Sequence, residues 1–111
     1  MQVVVGPFTR QGIEDRLGPD LPAGVEIALL YYVGKLRSGR GAPKFPSFLQ
    51  NAEIEEPVAE VELNVGAEVE ELLSNEAERQ HTTVDRLAAH SVLIYLAELD
   101  RLESEGRAAS N

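Results

Sequence analysis

Apolar and polar positions alternate along residues 58–65, with Val61, Leu63 and Val65 on one side of the register and Glu60, Glu62 and Asn64 on the other. A period of two is that of a strand with one buried face. After Gly66 the period changes: Val69, Leu72, Leu73 and Ala77 recur at helical spacing to about Gln80, with acids crowded into the first turns where they suit the helix dipole. Thr82 and Thr83 both qualify as caps for a second helix, and Thr82 with Asp85 three residues on fits a capping box. That helix sets Val84, Leu87, Ala88, Ser91, Val92, Tyr95, Leu99 and Leu102 on one stripe, which Leu93, Ile94 and Leu96 widen. One small unit cannot cover so much apolar surface. Residues 58–105 therefore read strand, helix, helix, and the chain frays from Ser104 into a tail at 106–111.

The first half follows the same order less clearly. Residues 2–5 are β-branched after Gln2 and stop at Gly6-Pro7, which predicts a short strand and a turn. Thr9 is placed to cap a brief helix that ends at Leu17, before Gly18-Pro19. Asp20 or Leu21 then precedes Pro22, a good first-turn proline, and an apolar run continues to about Arg37. Being apolar on nearly every side, this helix is predicted to be buried. Residues 1–39 are thus a candidate degenerate copy of the second unit, setting Leu30-Tyr31-Tyr32 opposite Ile94-Tyr95-Leu96. Residues 40–57 hold Pro43, Pro46 and Pro57 and read as an extended connector. The fold class predicted is mainly α with short β. If the tandem β-α-α repeat holds, one chain pairs its own first strand with residues 61–65 and sediments as a monomeric pseudo-dimer; if not, the first half is a layer on a homodimer.

The stretch VELNVGAEVEELLSNEAERQHTTVDRLAAHSVLIYL, from Val61 to Leu96, resembles the ribbon-helix-helix superfamily of DNA-binding proteins. The resemblance covers about a third of the chain. It implies an antiparallel two-stranded ribbon that enters the major groove of duplex DNA, a second helix whose N-terminus holds a phosphate, and a transcriptional regulator or antitoxin-type protein. Carried onto this sequence, the outward ribbon positions are Glu60, Glu62 and Asn64, and the phosphate position falls on Thr82, Thr83 and Val84. Two of those three ribbon residues are acids, where a DNA reader needs cations facing the duplex. The threonines are also fully explained as helix caps.

Charge changes the picture further. The net charge is -9, yet residues 1–52 carry six basic and four acidic side chains, for +2, while residues 53–111 carry four basic and fifteen acidic, for -11. A cluster of Lys35, Arg37, Arg40 and Lys44, with no acid between residues 27 and 52, is the one segment suited to an anionic partner. It is equally suited to neutralise the acidic half of its own chain. Candidate DNA or anion contacts are therefore Lys35, Arg37, Arg40, Lys44, Asn64, Thr82 and Thr83. The alternative function on the same fold is an acidic protein-interaction module that has lost DNA binding and meets a basic protein partner.

The absence of cysteine excludes disulfides, thiolate zinc sites and a thiol nucleophile. His81 and His90 lie nine apart, not at the i, i+4 spacing that sets two metal ligands on one helix face. Gly34, Gly39 and Gly41 fit neither phosphate-loop pattern. No nucleophile, base and orienting group converge, so no catalytic residue, metal or cofactor is expected and the chain is not read as an enzyme. The longest apolar run is too short for a membrane span and the start lacks a secretion signal, so a cytoplasmic protein is expected.

Overall fold

A computed structural model describes residues 1–38 and 55–109, with backbone alone considered for 107–109. It is mainly helical. The order is β1 (Gln2–Val5), α1 (Pro7–Leu17), α2 (Leu21–Arg37), β2 (Ala59–Glu62), α3 (Ala67–Arg79) and α4 (Val84–Ala109), so strand-helix-helix occurs twice. Most of the proline connector, and with it Arg40 and Lys44, lies outside the described residues.

The two strands pair with each other, antiparallel, in the register Gln2 to Glu62, Val3 to Val61, Val4 to Glu60 and Val5 to Ala59. The Leu63 amide extends the ladder by donating to the Met1 carbonyl at 2.7 Å. Alternation sorts the side chains: Val3, Val5, Val61 and Leu63 are buried, while Gln2, Glu60, Glu62 and Asn64 are exposed. The inward and outward assignment read from the sequence of residues 60–65 is the one observed, although the strand itself is shorter than the alternation.

Each β-α junction is a glycine. Gly6 and Gly66 occupy the N-cap positions of α1 and α3 without a side-chain cap, and Gly66 has φ 88, a conformation that favours glycine. Thr9 is therefore not the cap of α1; the helix starts at Pro7, whose missing N–H costs nothing in the first turn, and Thr9 is buried within that turn. Gly18, at φ 102, closes α1 by donating to the Ile13 carbonyl at 3.2 Å. Asp20 then caps α2, its carboxylate accepting the Ala23 amide at 3.2 Å.

The core lies between the inner ribbon face and the helices, with α2 and α4 packed closely against each other. α2 contributes Val25, Ala28, Leu29, Tyr32 and Val33, and α4 contributes Leu87, Ala88 and Val92. Gly24 on α2 lets α1 approach, since a Cβ there would run into Ile13. Tyr31 and Tyr95 meet edge to face across the α2–α4 contact, ring centroids 5.4 Å apart. The expectation that α2 is buried all round fails on its outer side, where Ile27 is 45% and Leu30 50% exposed. An unbroken apolar run has no period to show which side faces in. α4 continues to Ala109, with Arg101 bridging Glu98 and Glu105 one turn either side, so the described part of the tail is helical.

Candidate functional site

The ribbon offers one outward face, and its chemistry is acidic. Gln2 and Val4 point out from β1, Glu60 and Glu62 from β2, and no lysine or arginine lies among these four. The Gln2 amide donates to Glu60 Oε2 at 3.2 Å. The Met1 ammonium sits between Glu62 Oε1 at 3.2 Å and Glu70 Oε1 at 3.3 Å. Hydrogen bonding to Glu62, then to Glu70, raises its pKa and keeps it charged at neutral pH. Two carboxylates share the one ammonium and Glu60 meets a neutral amide, leaving the face negative.

Five of the described arginines form ion pairs away from this face. Arg10 pairs with Glu14 at 3.0 Å, Arg16 with Asp100 and with Glu103 at 3.0 Å, and Arg37 with Glu68 at 3.2 Å. Arg79 holds Glu76, and Arg101 holds Glu98 and Glu105. Arg37 and Glu68 show the first half's cations meeting the second half's acids. Lys35 lies 5.3 Å from the centre of the Tyr31 ring, in a shallow hollow bounded also by Gly34 and Ser38. Lys35 and Arg37 are therefore at the C-terminal end of α2, not on the ribbon.

Asn64 is exposed just beyond β2, and its amide donates to Glu26 Oε1 on α2 at 2.7 Å. Asp85 on α4 likewise accepts the Val4 amide at 2.8 Å. Asp85 is thus not half of a capping box with Thr82. Thr83 caps α4 instead, its Oγ1 accepting the Arg86 amide at 3.3 Å and its carbonyl the Leu87 amide at 2.9 Å. Thr82 belongs to the end of α3: its amide donates to the Ala77 carbonyl at 2.9 Å and that of His81 to Glu78 at 3.1 Å. With His81 at φ 56, this is a Schellman stop. The described sequence-predicted contacts therefore fall on four separate places: the end of α2 (Lys35, Arg37), just beyond β2 (Asn64), the end of α3 (Thr82) and the start of α4 (Thr83).

A buried polar cluster went unnoticed in the sequence. Glu76, 8% exposed, holds Arg79 Nε at 3.0 Å and Gln80 Nε2 at 2.5 Å, and Gln80 Nε2 also donates to the Tyr32 hydroxyl at 3.0 Å. Arg79 holds the Glu76 carboxyl below its usual pKa against the opposing effect of burial, and Gln80 adds to the lowering. Burial, with the Glu76 charge behind it, pushes the Tyr32 hydroxyl up. His90 is buried edge-on to the Tyr32 ring, centroids 6.3 Å apart. Helical spacing of Leu73, Glu76 and Gln80 was the available signal, since it puts the two polar residues on the apolar side of α3.

No family model, curated protein or solved structure matches the chain. Among the described residues, no group of three or more acids and histidines is placed to hold a metal ion. Nor is any described helix long and apolar enough to cross a membrane.

Proposed function

We propose that the chain is a single-chain, ribbon-helix-helix-like module whose outward ribbon face receives a basic protein segment. The twofold strand-helix-helix order and the pairing of β1 with β2 support the scaffold part of this reading. The observation that carries the functional part is the pair Glu60 and Glu62, side by side on the exposed face with Gln2 and Val4 opposite them. A ribbon in a major groove lies between phosphates, where carboxylates are repelled and unpaired cations are needed. The same face is complementary to lysines and arginines, which it would steer electrostatically and hold through charge-assisted hydrogen bonds.

Fluorescence anisotropy with a labelled arginine-rich peptide and a labelled DNA duplex, each at low and moderate salt, tests this reading. The peptide is expected to bind and to weaken with salt. Glu60→Gln together with Glu62→Gln should weaken it about tenfold, equivalent to about 1.4 kcal/mol. Glu78→Gln with Asp15→Asn, an equal loss of exposed charge elsewhere, should change little. Duplex DNA should not bind at low salt, where phosphate contacts are strongest. DNA binding there would overturn the proposal in favour of a groove-reading regulator.

A further inference from the structure

The outer side of α2 carries a second apolar seam, separate from the stripe that faces the core. Ala23, Ile27, Leu30 and Gly34 follow one another at spacings of four, three and four, the a/d rhythm by which two helices pack. Ile27 is 45% and Leu30 50% exposed, and Gly34 has open space where a Cβ would stand. Turning by 100° per residue, Glu26 and Arg37 lie on the same flank of this seam, one toward each end of the helix.

We infer that this seam is a docking surface for a second copy of the chain, with the two α2 helices antiparallel about a twofold axis. The charges select both occupant and direction. A twofold axis perpendicular to the helices keeps each flank beside its own counterpart and reverses its ends. Glu26 of one copy then approaches Arg37 of the other, twice over, whereas a parallel arrangement would set like charges level with each other. The same reversal brings Ile27 opposite the gap at Gly34. Neither Glu26 nor Arg37 is committed to a deep contact within its own chain: the Glu26 bond to the Asn64 amide and the Arg37 pair with Glu68 are both exposed. Because β1 and β2 are already paired within one chain, this association exchanges no strand. It joins two finished units and leaves both ribbon faces outward. The inference is independent of what the ribbon binds.

Sedimentation equilibrium of the full chain across the micromolar range is expected to show a reversible dimer of twice the 12.1 kDa chain mass. Leu30→Lys places a cation in the seam while forming a helix-compatible i, i+4 pair with Glu26, and should raise the dissociation constant about a hundredfold without loss of helicity. Arg37→Glu should raise it about tenfold, and added salt should shrink the difference from the unmodified chain. A monomer at every concentration would overturn the inference, whether another segment of the chain or a different protein covers the seam. A dimer unaffected by Leu30→Lys would overturn it too.

Discussion

Asp85 on α4 accepts the amide of Val4 in the first half of the chain, and Glu26 on α2 accepts the amide of Asn64 in the second. In each case the second helix of one half reaches the strand region of the other. The two ties differ in setting: Asp85 works in a partly buried place and Glu26 at the surface. A two-stranded ribbon has unpaired amides along both edges, and an amide withdrawn from water needs a partner more than one that water can reach. The contrast teaches that the halves complete each other, and that the depth of a tie, more than its geometry, sets what it contributes.

The largest test of this interdependence is to open a cavity in either half. Leu29 on α2 and Leu87 on α4 are both fully buried. Leu29→Ala and Leu87→Ala should each lower unfolding free energy by about 3 kcal/mol. Both should keep a single unfolding transition, coincident by far-ultraviolet circular dichroism and tyrosine fluorescence, because neither half has a core of its own. Two separated transitions in either variant would break the comparison.

Asp85→Ala should cost about 1.5 kcal/mol in urea denaturation, since it strands the Val4 amide. Glu26→Ala should cost about 0.5 kcal/mol, water replacing the lost acceptor at Asn64. Equal costs would show that depth does not matter. Between these lies the polar tie from Tyr32 in the first half to Gln80 and Glu76 in the second. Glu76→Gln should cost about 1 kcal/mol at neutral pH. Its pKa is lower folded than its ordinary 4.5, so its contribution is present above that value and disappears as pH falls through the folded pKa. The unmodified chain should therefore lose stability more steeply than Glu76→Gln below about pH 4.5. Parallel pH profiles would exclude Glu76 as a source of acid sensitivity.

What could be read from the sequence followed period and punctuation. The alternation of residues 60–65 showed which ribbon side chains face out, and the spacing of Val69, Leu73 and Ala77 placed α3. α2 was legible as a helix from Pro22 in its first turn and the apolar run to about Arg37, but its exposed side was not, because apolar residues occupy both sides. Asp85 was visible as a capping residue, and a local role hid the distant one. Its tie to Val4, like that of Glu26 to Asn64, ends on a backbone amide, which carries no residue-specific signal. The acidity of the ribbon face was legible from Glu60 and Glu62 before any fold was known. Arg10, Arg79 and Arg101 pair within their own helices at i,i+3 and i,i+4 spacings that the sequence displays, whereas the pairing of Arg16 with Asp100 and Glu103, and of Arg37 with Glu68, required the packing of the helices.

One chain closes its own ribbon, and we propose that Glu60 and Glu62 on its outer face meet a cationic partner. Backbone amide chemical shifts of the isotope-labelled chain, followed while an arginine-rich peptide is added at low salt, test it most directly. Shifts are expected to concentrate at Gln2, Val4, Glu60 and Glu62, with Thr82 at the end of α3 and Thr83 and Arg86 at the start of α4 unmoved. Shifts centred on α4, or duplex DNA moving the ribbon amides in place of the peptide, would contradict it.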